Sequence, residues 1–168
     1  MVNVKEVLRE SLPEVKLIGL RYTDADRDEH GSYGEKWDEW FQTGRFEALK
    51  GDGGLKGVSD DFVGAMRMGE QGFEYWIGIL MAPNDPVPEG MQAVAIPAGD
   101  LGVCYVYGRD NTPEIYGMEV HEACMARFAD RGWRVKENGW FIERYNCPRF
   151  TTPDEKGNVI LDYCAYLD

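Results

Sequence analysis

The chain runs through one order of elements twice, and that repetition restricts its fold more than any single motif does. YGEKWDEW (33–40) and YGMEVHEA (116–123) share tyrosine, glycine and a glutamate at an offset of 83. Arg45-Phe46 corresponds to Arg127-Phe128 at an offset of 82, and FEYWIGIL (73–80) to LDYCAYLD (161–168) at 88, with an acidic-tyrosine pair in register. Around these anchors the patterning reads as a strand (VKLIGLRY, 15–22) and then a helix over SYGEKWDEWFQTGRFEALKG. In the helix Tyr33, Trp37, Trp40, Phe41 and Ala48 recur at helical spacing. Two short strands follow, FVGAMRM (62–68) and FEYWIGILM (73–81).

NDPVPEG (84–90) then punctuates the chain, and the order returns. MQAVAIPAGDLGVCYVYG (91–108) is extended and broken at Pro97-Ala98-Gly99. TPEIYGMEVHEACMARFADRG reads as a helix with Thr112 as N-cap, Pro113 in the first turn and Gly132 as the stop. WFIERY and VILDYCAYLD are two more strands, joined by a turn containing PDEKGN. VNVKEVLRESL (2–12) places Val4, Val7, Leu8 and Leu12 on one helical face ahead of Pro13, which predicts an N-terminal helix. GDGGLKG (51–57) lacks the preceding strand and the lysine-serine ending of a phosphate loop, and reads as a flexible connection.

These readings predict an α+β fold with mainly antiparallel strands. A single domain, 1–168, is built as a tandem duplication with repeats at 15–82 and 91–168. One helix over one small sheet is too little to be stable alone, so the two halves are expected to share a core. Their seam, on a pseudo-twofold axis, is the expected ligand cleft.

Apolar residues make up 43% and aromatic ones 12%, which fits a folded globular chain rather than a disordered one. The net charge of −12 argues against direct nucleic-acid binding, which needs a basic footprint. It either helps attract a cation or simply keeps the protein soluble. The longest strongly apolar run, Trp76–Ala82, is too short to cross a bilayer, and MVNVKEVLRE lacks a signal-peptide core. A cytoplasmic protein without membrane contact is expected. Cys104, Cys124, Cys147 and Cys164 form no CxxC pair and read as reduced, mostly buried thiols. His30 and His121 have no metal-ligand spacing and read as surface or capping residues, so neither metal nor cofactor is expected.

WFIERYNCPRF (140–150) carries one acidic residue, Glu143, among aromatic and apolar ones. Strand alternation puts Phe141, Glu143 and Tyr145 on one face and Trp140 and Ile142 on the other. A carboxylate walled in by rings loses hydration, which costs several kcal/mol unless a partner compensates. The partner is either an arginine, such as Arg144 or Arg149, or a bound cation; Arg144 points to the opposite strand face. Such a desolvated group could also serve as a general acid or base. Trp76 shares a face with Glu74 and Gly78, opposite Tyr75, Ile77 and Ile79, which makes it a pocket candidate. Gly78 either leaves room for a flat ligand or marks a bulge. Trp37 and Trp40 suit a core stripe as well as a pocket, and Tyr105 and Trp140 suit either. The candidate ligand contacts are therefore Glu143, Tyr145, Trp76, Phe141, Trp140, Trp37, Trp40 and Tyr105.

The duplicated order, VPEGM (87–91), IPAG (96–99), the Gly132-Trp133 pair after the helix and FIERY (141–145) together resemble the GyrI-like or AraC-type effector-binding domain. The resemblance covers nearly the whole chain beyond residue 12. It implies a pocket for a small, hydrophobic, often cationic molecule, with Glu143 at the family's pocket glutamate. Leu101-Gly102 stands where the family usually has an aromatic, and Cys164 where a tyrosine is frequent. No helix-turn-helix pattern precedes the domain, so a stand-alone form is expected.

Three functions fit. The first is a small-molecule-binding protein that senses or sequesters hydrophobic, aromatic and cationic compounds. The second is a hydrolase of electrophilic aromatic compounds in which Glu143 activates water. The third is an acidic inhibitor that acts on a protein partner, a regulator or a gyrase-like enzyme, through the loop holding Asp24, Asp26, Asp28 and Glu29.

Overall fold

Alternating apolar and polar residues build most of the protein from strands. A computed structural model describes residues 2–50, 61–146 and 148–168; the 51–57 stretch and Cys147 lie outside them. In chain order the elements are strands β1 (Asn3–Leu12) and β2 (Val15–Tyr22), helices α1 (Gly34–Gln42) and α2 (Arg45–Lys50), and strands β3 (Phe62–Gly69) and β4 (Gly72–Met81). Strands β5 (Gln92–Ile96) and β6 (Gly99–Arg109), helix α3 (Met118–Asp130) and strands β7 (Phe141–Tyr145) and β8 (Asn158–Tyr166) complete them. They divide into two units, Glu14–Pro97 and a C-terminal unit that joins Ala98–Asp168 to Met1–Pro13. The strand ladders within each unit are antiparallel, and the class is α+β as expected. No helix among the described residues is long and apolar enough to cross a membrane.

In the Glu14–Pro97 unit the strand order is β3-β4-β2-β5. Trp40 of α1 and Phe46 and Leu49 of α2 pack on Ile18, Tyr22, Tyr75, Ile77 and Ile79. The single helix expected here is broken at Gly44, whose φ of +68° lies in the left-handed region that glycine adopts at no steric cost. Gly78 has a packing reason rather than a ligand-shaped one. It sits opposite Gly19 in the β2–β4 register, and a Cβ on either would run into a carbonyl oxygen of the facing strand.

In the C-terminal unit the order is β1-β6-β8-β7. Residues 3–12 form a strand, not the helix that their spacing predicts. The reason is a β-bulge: the β1–β6 register shifts between Val4 and Glu6, so Lys5 is an extra residue. The insertion returns Val4 and Val7 to one face of a strand, mimicking the three-residue step of a helix. Helix α3 starts at Met118, six residues after Thr112, because Gly117 takes φ +107° at its N-cap. Thr112 instead closes a separate turn, its Oγ1 accepting from Glu114 N at 3.2 Å. The stop at Gly132 matches the sequence: φ is +74°, and Trp133 N donates to the Phe128 carbonyl at 3.0 Å. Val120, Cys124 and Phe128 press α3 onto Cys104, Val106, Leu161, Tyr163 and Ala165. Gly102 makes that possible, since a Cβ there would lie 2.8 Å from the Phe128 ring.

Candidate functional site

Strand β7 is where the candidate carboxylate is set. Glu143 pairs with Tyr163 and Phe141 with Ala165 across the β7–β8 ladder. Side chains directly across a ladder share a face, so Glu143 lies on the α3 side with Tyr163 and Ala165. Phe141 and Tyr145, two residues to either side, are half-buried against the same core. The Tyr145 hydroxyl reaches Glu143 Oε1 at 3.5 Å, and its ring meets Phe150 edge-on at 4.8 Å. Helix α3 brings His121, whose Nδ1 lies 2.7 Å from the Tyr163 hydroxyl and whose ring is edge-on to Phe141 at 5.0 Å. Tyr116, just ahead of α3, donates its hydroxyl to Asp110 Oδ1 at 3.1 Å.

Burial dominates the proton chemistry of these groups. It pushes the Tyr163 phenol well above its ordinary range, and the negative charge of Glu143 adds to that. Tyr116 is raised in the same direction, by burial first and then by the charges of Asp110 and Glu143. Burial pushes the His121 imidazole below its ordinary value, against a small opposing pull from Glu122. At neutral pH the Tyr116 and Tyr163 phenols and the His121 imidazole are therefore neutral.

The two arginines nearest in sequence are engaged elsewhere. Asp162, with no exposed surface, accepts from Arg144 Nε at 2.9 Å and from Arg149 at 3.1 and 2.6 Å. Arg144 also grips Glu10 with two nitrogens at 3.0 and 3.2 Å. Asp162 follows Leu161 and precedes Tyr163 in β8, so this network occupies the sheet face opposite α3. The Glu14–Pro97 unit has a parallel arrangement at the aligned acid: Glu74 binds Arg21 at 2.9 Å and Arg67 at 2.7 Å. Burial works against the Glu74 carboxylate, but the two guanidiniums more than offset it and its pKa is lowered.

Of the residues singled out in the sequence, Glu143, Tyr145 and Phe141 come together. Tyr105 lies on the other face, its ring 4.5 Å beneath the Arg149 guanidinium. Trp140 is 3% exposed, just before β7, and its carbonyl accepts from Tyr166 N at 3.3 Å. Trp37, Trp40 and Trp76 belong to the Glu14–Pro97 unit. Trp40 is fully buried and donates to the Tyr22 hydroxyl at 2.9 Å, and Trp37 donates to the Tyr75 hydroxyl at 2.9 Å. Trp76 is buried on the strand face opposite Tyr75, Ile77 and Ile79.

Sequence reasoning missed Tyr163 across from Glu143, Tyr116 within reach of its charge, and His121 against Tyr163. A signal existed for the tyrosines, because the repeat carries both. Tyr33 corresponds to Tyr116 and Tyr75 to Tyr163 at the offsets above. In the Glu14–Pro97 unit these rings stack at 4.3 Å and 3°, with Met66 across from Tyr75 where the C-terminal unit has Glu143 across from Tyr163. His121 follows Val120 at the edge of the buried stripe, which marks it as lining the core rather than the surface.

A groove of about 340 Å³ elsewhere on the C-terminal unit is lined by Tyr107, Arg149, Asp154 and Asn158 among others. Within it the Tyr107 hydroxyl binds Asp154 and accepts from Asn158 at 3.1 Å, while Arg149 is held by Asp162.

No protein-family model matches the sequence, and no curated protein matches it. Solved structures do. SAV2435 bound to tetraphenylphosphonium is 14% identical at a TM-score of 0.70, over 97% of this chain and 94% of that one. A bacterial transcription regulation protein from Staphylococcus aureus MU50, itself assigned provisionally, is 15% identical at 0.67, over 97% and 98%. The C-terminal domain of EcmrR is 13% identical at 0.62, over 97% of both chains. The chain shares the fold of these structures. At such identities the likeness is one of fold, and what the chain binds has to be argued from its own side chains.

Proposed function

We propose that the chain binds small hydrophobic, aromatic cations at Glu143 and acts as a sensor or sequestering module for them. The observation that carries this reading is the setting of Glu143, an acid across the ladder from Tyr163, between Phe141 and Tyr145 on one strand face, whose charge also reaches Tyr116. A cation there gains a Coulombic partner, and each ring face it covers adds about 0.5–2 kcal/mol when water is excluded. The shared fold supports the same direction, since SAV2435 was solved with tetraphenylphosphonium, a lipophilic aromatic cation. Tetraphenylphosphonium is accordingly the first probe. It should raise the melting temperature of the wild type in a concentration-dependent way, and bind Glu143→Gln at least about tenfold more weakly by calorimetry. Equal binding to both proteins, or none to either, ends the reading.

A further inference from the structure

We propose that the groove on the C-terminal unit binds a small aromatic carboxylate, with the guest's carboxylate on Arg149 and its rings against Tyr107 and Ile160. The site is separate from Glu143 and does not depend on a cation binding there.

The groove lies on the other face of the sheet. Tyr107 stands across from Ile160 in the β6–β8 ladder and shares the strand face of Tyr105 and Asp162, opposite the face that carries Glu143. A volume of about 340 Å³ falls within the range of small-molecule sites. Pro148, Ile160 and the Tyr107 ring give the groove an apolar wall, while Arg149 and Thr152 bring polar groups to it.

Arg149 is the group poised for an anion. Its Nε and Nη2 donate to Asp162 at 3.1 and 2.6 Å, and its guanidinium lies 4.5 Å from the centre of the Tyr105 ring. Those contacts fix the plane of the fork before any guest arrives, so little ordering remains to be done on binding. A guanidinium has five N–H donors, and the grip on Asp162 uses only part of them. Nη1 has no acceptor among the described residues. Asp162 also divides its charge between Arg149 and Arg144.

The sign of the guest follows from what the other charges are doing. Asp154, the acid in the lining, is met by the Tyr107 hydroxyl and by the backbone N–H groups of Lys156 and Asn158 at 2.9 and 3.0 Å. A cation would therefore meet a carboxylate already supplied with donors, whereas an anion meets unused N–H groups. Asn158 and Asp162 are four residues apart on β8, about 13 Å, so a carboxylate held at the Arg149 end lies away from Asp154. The neighbouring charges agree with this: Lys5 Nζ sits 4.6 Å from the centre of the Tyr107 ring, and Arg109 Nη2 donates to the Lys156 carbonyl at 3.3 Å.

Calorimetry with 2-naphthoate and its neutral analogue 2-naphthamide tests this. About 0.15 M salt screens the −12 net charge beyond about 8 Å. Wild type should bind the carboxylate at least about tenfold more tightly than the amide. Arg149→Gln should bring that ratio close to one, with little change for the amide. Arg149→Lys keeps a positive charge beside Asp162 and so guards against loss of the fold. A single ammonium lacks the fork that reaches both Asp162 and a guest, so the ratio should fall there too. Glu143→Gln should bind naphthoate as wild type does. Equal binding of the two compounds by wild type overturns the proposal, and so does binding of neither. A ratio that survives both Arg149 changes, or one lost in Glu143→Gln, puts the guest elsewhere and overturns it as well. If Arg149→Gln loses its cooperative melt, wild type and Arg149→Lys decide. The tetraphenylphosphonium titration judges the Glu143 reading independently.

Discussion

Arg144 follows Glu143 in sequence, yet it donates its Nε–H to Asp162 at 2.9 Å. The same guanidinium clamps Glu10, so one arginine of β7 ties β8 and β1 to its own strand through two acids. A buried carboxylate removed from such a network leaves uncompensated positive charge, which costs about 3–5 kcal/mol. Asp162→Ala should lose that much stability in urea denaturation. Glu10→Gln should lose no more than about 1 kcal/mol, because its side chain is 35% exposed and water screens the pair. Equal losses in the two variants would mean that burial is not what makes Asp162 important.

Gly78 and Gly19 face each other with no room for a side chain on either. Gly78→Ala should destabilise the protein by about 1–3 kcal/mol or more, since the obstacle is a facing backbone carbonyl that no rotamer change can move. Gly90→Ala is the contrast: a Cβ there meets nothing within 4 Å, and its cost comes only from a φ of +84°. Thermal melts of the two variants separate crowding from backbone strain, and equal shifts would count against the crowding argument.

His121 should make stability depend on pH in a defined direction. Its folded pKa lies below the ordinary imidazole value of 6.5, through burial opposed by Glu122. Above that value the imidazole is neutral in both states. As pH falls through it the unfolded chain takes up the proton first, so folding loses stability until the folded pKa is reached. As pH is lowered from about 7.5 through 6.5 the wild type should lose more stability than His121→Gln. Parallel pH profiles for the two proteins would remove His121 from the acid response.

Three thiols should resist alkylation in the native state. Cys104, Cys124 and Cys164 are free and buried. Burial pushes the Cys164 thiol up to about 12, and Cys124 is raised too, by a hydrogen bond with Cys104 and by burial. The thiolate is the reactive form, so all three should label with iodoacetamide only after denaturant is added. Site-resolved mass spectrometry checks this. Rapid labelling of Cys164 in native buffer would show that the strand opens readily.

Most element types were legible in the sequence because their cause is local. VKLIGLRY spans the same residues as β2, and FIERY is β7, since alternation and β-branched or aromatic content act within a few residues. The misreadings have local causes that the pattern disguises. The bulge at Lys5 turned a strand into an apparent helix, and a left-handed glycine at 117 delayed α3 past its proline-marked start. Neither residue announces its backbone conformation before its neighbours are packed.

Side-chain period alone determined that Phe141, Glu143 and Tyr145 share one strand face, and that Arg144 points away from them. Only the tertiary structure decided that Tyr163 stands across from Glu143, that α3 delivers His121 to Tyr163, and that Arg144 and Arg149 converge on Asp162. The division has one physical reason. Which way a side chain points is settled by its own backbone, whereas which oxygen meets which nitrogen depends on strand register and helix docking, set by apolar contacts among residues far apart in the chain.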